Sequence, residues 1–425
     1  MPSDLKNGTV WTPPTFTDDG SREGDASYLS AGGTHGLNAI TSEILAAQVF
    51  AANASANVAN VRDFGAAGNG TTDDRAAIQA ALDSPARYVF FPPGTYRCND
   101  TIVAGTGGTT GKVLFASGVG RSSAHHTKIV WGGSNQKNTA DKALLEMNYG
   151  FGGGIHGLGF VASDVRHAIL IRNGSDGWVE DSGISDLIFW GVPFSCIKAK
   201  RASNLTVRGL IFDNVSEYGI EAEDAWSWQV LDNCFFNRMN AGIRFYGTDG
   251  DYGRNHVIGD NTFWLCGSAW PMGGLVEPLD GAAGIIIEGA SRGINVTGNI
   301  FSQNASGVIV KDGGDSNITG NLFDFHQMDA IRIVGARNVM VSGNVFRGSE
   351  GTGDRLDGYG HQSVLTSGTC RGITVVNNSD YDDWSGGVTL GNGTTYSVVD
   401  NYLHQGGKTV TNNGGGTNTV GRVVG

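Results

Sequence analysis

The sequence predicts an all-β fold, a solenoid of the single-stranded parallel β-helix type, on three observations. The first is an eight-residue phrase written three times: "INVTGNIF" ending at Phe301, "SNITGNLF" ending at Phe323 and "VMVSGNVF" ending at Phe346. The second is the spacing, because Asn299, Asn321 and Asn344 follow one another at 22 and 23 residues. The third is composition: 67 Gly against 9 Pro with 16% charged residues suits many short strands joined by tight turns.

The period extends in both directions. "VLDNCF", "IGDNTF", "VVNNSD" and "VVDNYL" add Asn233, Asn261, Asn378 and Asn401 to the phase. Between them lie "YGIEAE", "AGIRFY", "AGIIIE", "SGVIVK", "DAIRIV" and "GGVTLG", short alternating runs that leave no room for a helix. Several strands in a repeat near 22 residues describe one coil, and coils stack at about 4.8 Å. Each coil must then offer the same apolar shape to its neighbour, which explains Ile318, Leu322 and Phe323. Asn321 recurs because an amide can bond turn backbone and the next Asn in a ladder. A leucine-rich horseshoe lacks its leucine pattern here, and a β-sandwich would not hold one phase so long.

Four regions follow. Residues 1–36 read as an extended N-terminal arm, a candidate attachment segment. Residues 37–58 place Leu37, Ile40, Ile44, Ala47, Ala51 and Ala54 at steps of three and four. That short helix is either a trimeric neck or a single helix lying on the solenoid. Residues 59–100 start the β-helix, with a capping helix, and 101–425 are coils with inserted loops.

The formal charge of −12 excludes a nucleic-acid partner. Without 18 consecutive apolar residues, no membrane insertion is expected. Cys98, Cys196, Cys234, Cys266 and Cys370 are scattered and read as reduced, mostly buried thiols. The start, "MPSDLKNGTVW", shows no basic segment before an apolar run, so synthesis in the cytoplasm without a signal peptide is expected. No cofactor is expected; calcium on Asp249 and Asp251 of "TDGDYG" is the weak exception.

The most specific stretch is "NVRDFGAAGNGTTDDRAAIQAALDS" (60–84) followed by "RYVFFPPGTY" (87–96). It reads as strand, Gly turn, helix capped by Thr72 or Asp73, then a strand closed by Pro-Pro-Gly, with Ile78 and Leu82 as the helix's apolar face. Asp63, Asp73 and Asp74 are caps and turn residues in that reading. This stretch resembles the N-terminal signature of the pectate-lyase-like superfamily, in the branch of bacteriophage tailspikes and related glycosidases. The resemblance implies a right-handed β-helix, a homotrimer, and polysaccharide handled along the side. It also implies a virion tail location, with other tail proteins as partners through the arm. It supplies no catalytic residues.

Departures from the period locate added function. Steps of 28, 38 and 34 residues separate Asn233–Asn261, Asn261–Asn299 and Asn344–Asn378. The insertions fall at 247–255, 266–281 and 348–362. They carry Tyr252, Trp270 and Tyr359 for stacking on sugar rings, and acids among which Glu277 and Asp280 are competing catalytic candidates. Strand alternation turns Ile220 and Ala222 inward and Glu221 and Glu223 outward. One coil on, Arg244 and Tyr246 take those places, then Ile286 and Glu288, then Ile309 and Lys311. Glu223 and Glu288 should lie two rungs apart, on the order of 10 Å, and glycoside hydrolysis uses two carboxylates roughly 5–10 Å apart. Glu223, Glu288 and Glu221 are therefore the catalytic candidates, with Arg244, Tyr246 and Lys311 as substrate-binding neighbours. Alternation on any solvated sheet would produce the same outward charges.

The expected function is a tailspike-like protein that binds and hydrolyses a bacterial surface polysaccharide. The alternatives are a non-enzymatic tail or adhesin fibre that holds glycan, and a free-standing lyase, epimerase or fructan-processing enzyme, cytoplasmic or exported by a non-classical route. A lyase would want basic residues, for which Arg244, Lys311 and Arg332 are available.

Overall fold

The computed structural model describes residues 57–424 apart from 117, 119–126, 175–176, 192, 214–216, 236–238, 249–252, 268–280, 325, 348–361, 382–386 and 405–408. The arm and nearly all of the 37–58 helix lie outside the described residues. Val58, expected as the end of that helix, instead opens the first strand, Val58–Asn60.

Three long parallel sheets wind together as a right-handed parallel β-helix. The first and second each hold 14 strands and the third holds 12. Twelve coils visit the first sheet, then the second, then the third, and the first and last described coils hold strands of the first two only. The repeated phrase supplies the first two strands: Asn295–Thr297 pairs with Gly314–Thr319 in the first sheet, and Ile300–Ser302 with Leu322–Asp324 in the second. The runs typified by "YGIEAE" form the third sheet.

Inward positions stack identical shapes. Ile220, Ile243, Ile285, Val308 and Ile331 are register partners in the third sheet and fully buried. Phe263, Phe301, Phe323 and Phe346 stack with ring centroids 4.8–5.1 Å apart. Each such pair contributes about 0.5–1.5 kcal/mol beyond its buried area. The expected asparagine ladder is present from Asn233 to Asn378. Each buried Asn donates its backbone N–H and its amide to Oδ1 of the next, for example Asn299 to Asn321 at 2.9 and 3.0 Å. The same amide also bonds carbonyls of the first-sheet strands, Ile258 and Thr297 in this case.

Asn401 is a correction. Ser379 pairs with Leu403 and Asp380 with His404. That register puts Tyr402 in the ladder's column and stacks Asn401 on Asn377, to which it donates at 2.6 Å. The phase slips by one residue in the last coils, where a buried tyrosine fills the ladder position.

The helix Arg75–Asp83 buries Ile78, Ala81 and Leu82 as expected. Its N-cap is Asp74, one or two residues later than expected, and the Asp74 carboxylate makes no cap bond. That buried carboxylate accepts from Ala67 N and Gly68 N at 2.6 and 3.0 Å and so fixes the Gly turn. Asp73 accepts from Arg75 N instead. The helix also closes the third sheet. Gln79 accepts from Val103 N at 2.9 Å and donates to Val103 O at 2.8 Å, satisfying an edge strand that would otherwise be an unpaired template.

Candidate functional site

The outer face of the third sheet carries two adjacent columns. One runs Lys198, Glu221, Arg244, Ile286, Ile309, Arg332; the other runs Lys200, Glu223, Tyr246, Glu288, Lys311, Val334. Glu223 and Glu288 thus stand two rungs apart with Tyr246 between them. Lys311 follows Glu288 and is exposed.

Lys198, Glu221, Glu223, Arg244, Tyr246 and Glu288 form one bonded network. Glu221 accepts from Ser195 Oγ at 2.7 Å, lies 3.1 Å from Arg244 and pairs with Lys198 at 3.3 Å. Arg244 Nε also donates to Glu288 Oε1 at 2.6 Å. Glu223 accepts from Tyr246 at 2.7 Å and pairs with Lys198 at 3.0 Å, and Lys198 donates to the same phenol oxygen. The Arg244 guanidinium lies over the Tyr246 and Tyr218 rings, 4.4 and 5.2 Å from their centroids.

Burial divides the three glutamates. The Glu221 side chain, expected to face solvent, is only 5% exposed beneath Lys198 and Arg244, whereas Glu223 and Glu288 keep 26% and 22%. Glu221 therefore anchors the two cations and is closed to substrate; Glu223 and Glu288 remain reachable. Burial raises the Glu223 pKa, but the Tyr246 hydrogen bond and the Lys198 charge outweigh it, so the carboxyl sits below its ordinary value. The Tyr246 phenol is pushed upward, by burial first and by Glu223 second. The pair is thus a fixed carboxylate beside a fixed phenolic donor. Such a carboxylate can act as base or nucleophile or take bonds from sugar hydroxyls; it does not suit the acid role.

Sequence reasoning missed Lys198, Ser195 and Glu217. The first two lie in "SCIKAK", one coil ahead of "YGIEAE", and the period carried one step backwards places Lys198 beside Glu221. Glu217 precedes Tyr218 and hydrogen-bonds Asn240; its pKa is raised, mainly by burial. No sequence pattern marked it.

The insertions attach at the two ends of interior strands of this sheet. Residues 247–255 connect it to the first sheet, and 266–281 and 348–362 bring the chain to it from the second. Asp224 receives Thr248 N at 2.7 Å and Thr248 Oγ1 at 2.6 Å, fixing the start of one. Buried Asp329 receives Gln362 N at 2.8 Å, fixing the end of another, and lies 3.7 Å from Arg332. Tyr252, Trp270, Glu277, Asp280 and Tyr359 lie outside the described residues, as do Asp249 and Asp251. Cys98, Cys196, Cys266 and Cys370 are free and buried. Among the described residues no helix is long and apolar enough to cross a membrane.

The chain has the pectate-lyase-like fold, a right-handed parallel β-helix. Residues 58–110 match the family described as "Rhamnogalacturonase A/epimerase, pectate lyase-like". A 42-residue stretch is 55% identical to mannuronan C5-epimerase AlgE6 of Azotobacter vinelandii, spanning 9% of this chain and 5% of that protein's length. The A-module of mannuronan C-5 epimerase AlgE4 from the same organism superposes with TM-score 0.64 at 19% identity, over 87% of this chain and 100% of the module. Tailspike protein 3 of bacteriophage CBA120 superposes with TM-score 0.52 at 14% identity, over 85% of this chain and 61% of the tailspike.

Proposed function

We propose that this protein binds a bacterial surface polysaccharide along the outer face of the third sheet and hydrolyses it there, as a tailspike-type depolymerase. The carrying observation is Glu223 held by Tyr246 and Lys198, two rungs from Glu288, on a sheet whose strand ends bear the inserted segments. In this reading Glu223 is the base or nucleophile, Glu288 the second carboxylate of the pair, and Arg244, Tyr246 and Lys311 orient the sugar. The chemistry needs no cofactor. The tailspike likeness in fold supports a place on a virion tail, as a homotrimer attached through the N-terminal arm. The test is incubation with purified surface polysaccharides and measurement of new reducing ends. Hydrolysis that Glu223→Gln and Glu288→Gln each reduce at least a hundredfold supports the assignment; full activity in both removes it.

One observation favours a second reading, a lyase or epimerase acting on uronate. Glu223 is held as a base beside a phenolic donor, with the partly exposed Arg244 and the exposed Lys311 at hand for a substrate carboxylate. The local match to a C5-epimerase supports the same reading. A product absorbing near ~232 nm, or deuterium incorporated at C5 without chain cleavage, distinguishes it from hydrolysis, since both require proton abstraction beside the carboxylate.

A further inference from the structure

The corner between the third and first sheets carries a column that the functional reading does not use. Its bridge partners run, coil by coil, Trp226, Arg254, Arg292, Gly314, Arg337 and Arg371. Four guanidinium groups thus share one corner of a protein whose formal charge is −12. At about 4.8 Å per coil they span about 19 Å. Gly314 leaves no gap in the strip: a Cβ there would lie 2.9 Å from Cγ of Arg337, so the arginine's stem lies across the glycine.

Like charges on adjacent rungs repel, and this corner does little to cancel them. Arg292, Arg337 and Arg371 form no ion pair with a described residue; of the described acids beside the column, Asp224 accepts from Thr248 and Asp315 from Asn338. Aromatic faces mark both ends of the column. Trp226 is exposed beside Arg254, and exposed Tyr396 lies under the Arg371 guanidinium at 4.7 Å.

We propose that this strip binds a linear acidic polysaccharide lying along the solenoid axis, its carboxylates paired with Arg292, Arg337 and Arg371 and its sugar rings stacked on Trp226 and Tyr396. Arg254 and Arg292, and then Arg337 and Arg371, occupy successive coils on either side of the Gly314 rung, so the cations recur at multiples of one coil height, as carboxylates do along a polymer with one on each sugar ring. The overall acidity that repels nucleic acid would equally reject polyanions elsewhere on the surface, confining them to this corner. The proposal is independent of turnover at Glu223.

The experiment is calorimetric titration of the full chain with a polyuronate, its fully methyl-esterified form, and single-stranded DNA, at low and raised salt. The expected result is polyuronate binding that weakens with salt, no binding of the ester, and weaker binding of DNA. Arg337→Gln with Arg371→Gln, both at exposed sites, should lower polyuronate affinity about tenfold, within the usual worth of two surface ion pairs, with the melting temperature unchanged. Arg292→Gln alone should weaken it in the same direction. Equal affinity for the ester, undiminished affinity in these variants, or tighter binding of DNA would each overturn the proposal. Polyuronate bound but never converted would leave it standing while removing the uronate-converting reading of the neighbouring site.

Discussion

Tyr246 donates its phenolic hydrogen to Glu223 at 2.7 Å from the next rung of the same sheet, and Lys198 completes the triangle. The carboxylate gains its low pKa from these two groups against its own burial. Removing the hydroxyl by Tyr246→Phe should let the Glu223 pKa rise toward its ordinary 4.5. The acidic limb of the pH–rate profile should then move to higher pH, while the basic limb stays in place. The sign for stability follows: the folded pKa lies below the unfolded one, so the Glu223 contribution is complete above about 4.5 and fades as pH falls below it. Tyr246→Phe should make that acid-side loss shallower in denaturation curves.

Glu221 is the buried member of the network, held by Lys198, Arg244 and Ser195. Glu221→Gln removes one of the two carboxylates that each cation holds, leaving Lys198 with Glu223 and Arg244 with Glu288, and the loss of these charge-assisted bonds costs about 2–3 kcal/mol. Glu288→Gln, at a more exposed carboxylate, should cost about 1 kcal/mol or less. Urea or guanidinium unfolding of the two variants measures the difference.

Asp329 behaves in the opposite sense to Glu223. Burial pushes its pKa up to about 6, from 3.8, against the hydrogen bond from Gln362 and the charge of Arg332. A raised folded pKa means the folded state holds the proton longer. Its contribution is full below pH 3.8 and is lost as pH rises through about 6. Asp329→Asn keeps an acceptor for Gln362 N and should stabilise the protein at pH 7 while leaving stability near pH 4 little changed, as thermal melts at the two pH values would show.

The asparagine ladder makes a sharp contrast between neighbours. Asn321 Oδ1 accepts two bonds from Asn299, and its amide donates to Val296 O, Thr319 O and Asn344. Asn321→Ala strands several buried backbone and side-chain groups, costing about 3 kcal/mol or more. Asn401→Ala, outside the column and with one side-chain partner, should cost under about 1 kcal/mol. Unfolding rates in denaturant compare the pair.

Much of this architecture was legible because a stacked coil forces repetition: Asn299, Asn321 and Asn344 announce their column by spacing alone. The same arithmetic put Glu223 and Glu288 two rungs apart. It failed at Asn401 because counting asparagines does not reveal a one-residue slip, which only the pairing of Ser379 with Leu403 displays. It also failed on burial. Alternation says that Glu221 leaves the outer side of its strand, but whether it meets water depends on Lys198 and Arg244 folding over it, and long cationic side chains reach across rungs. Gln79 was illegible for a related reason: nothing local marks a helix glutamine as the partner of a strand edge 24 residues later.

The central claim, that sugar is handled over Glu223, Tyr246 and Glu288, is tested most directly by a crystal structure of the Glu223→Gln protein soaked with an oligosaccharide that the wild type binds. The account predicts a sugar ring over the third sheet within hydrogen-bond distance of Tyr246 and Glu288. Sugar found only on another face, with this network left bare, would contradict it.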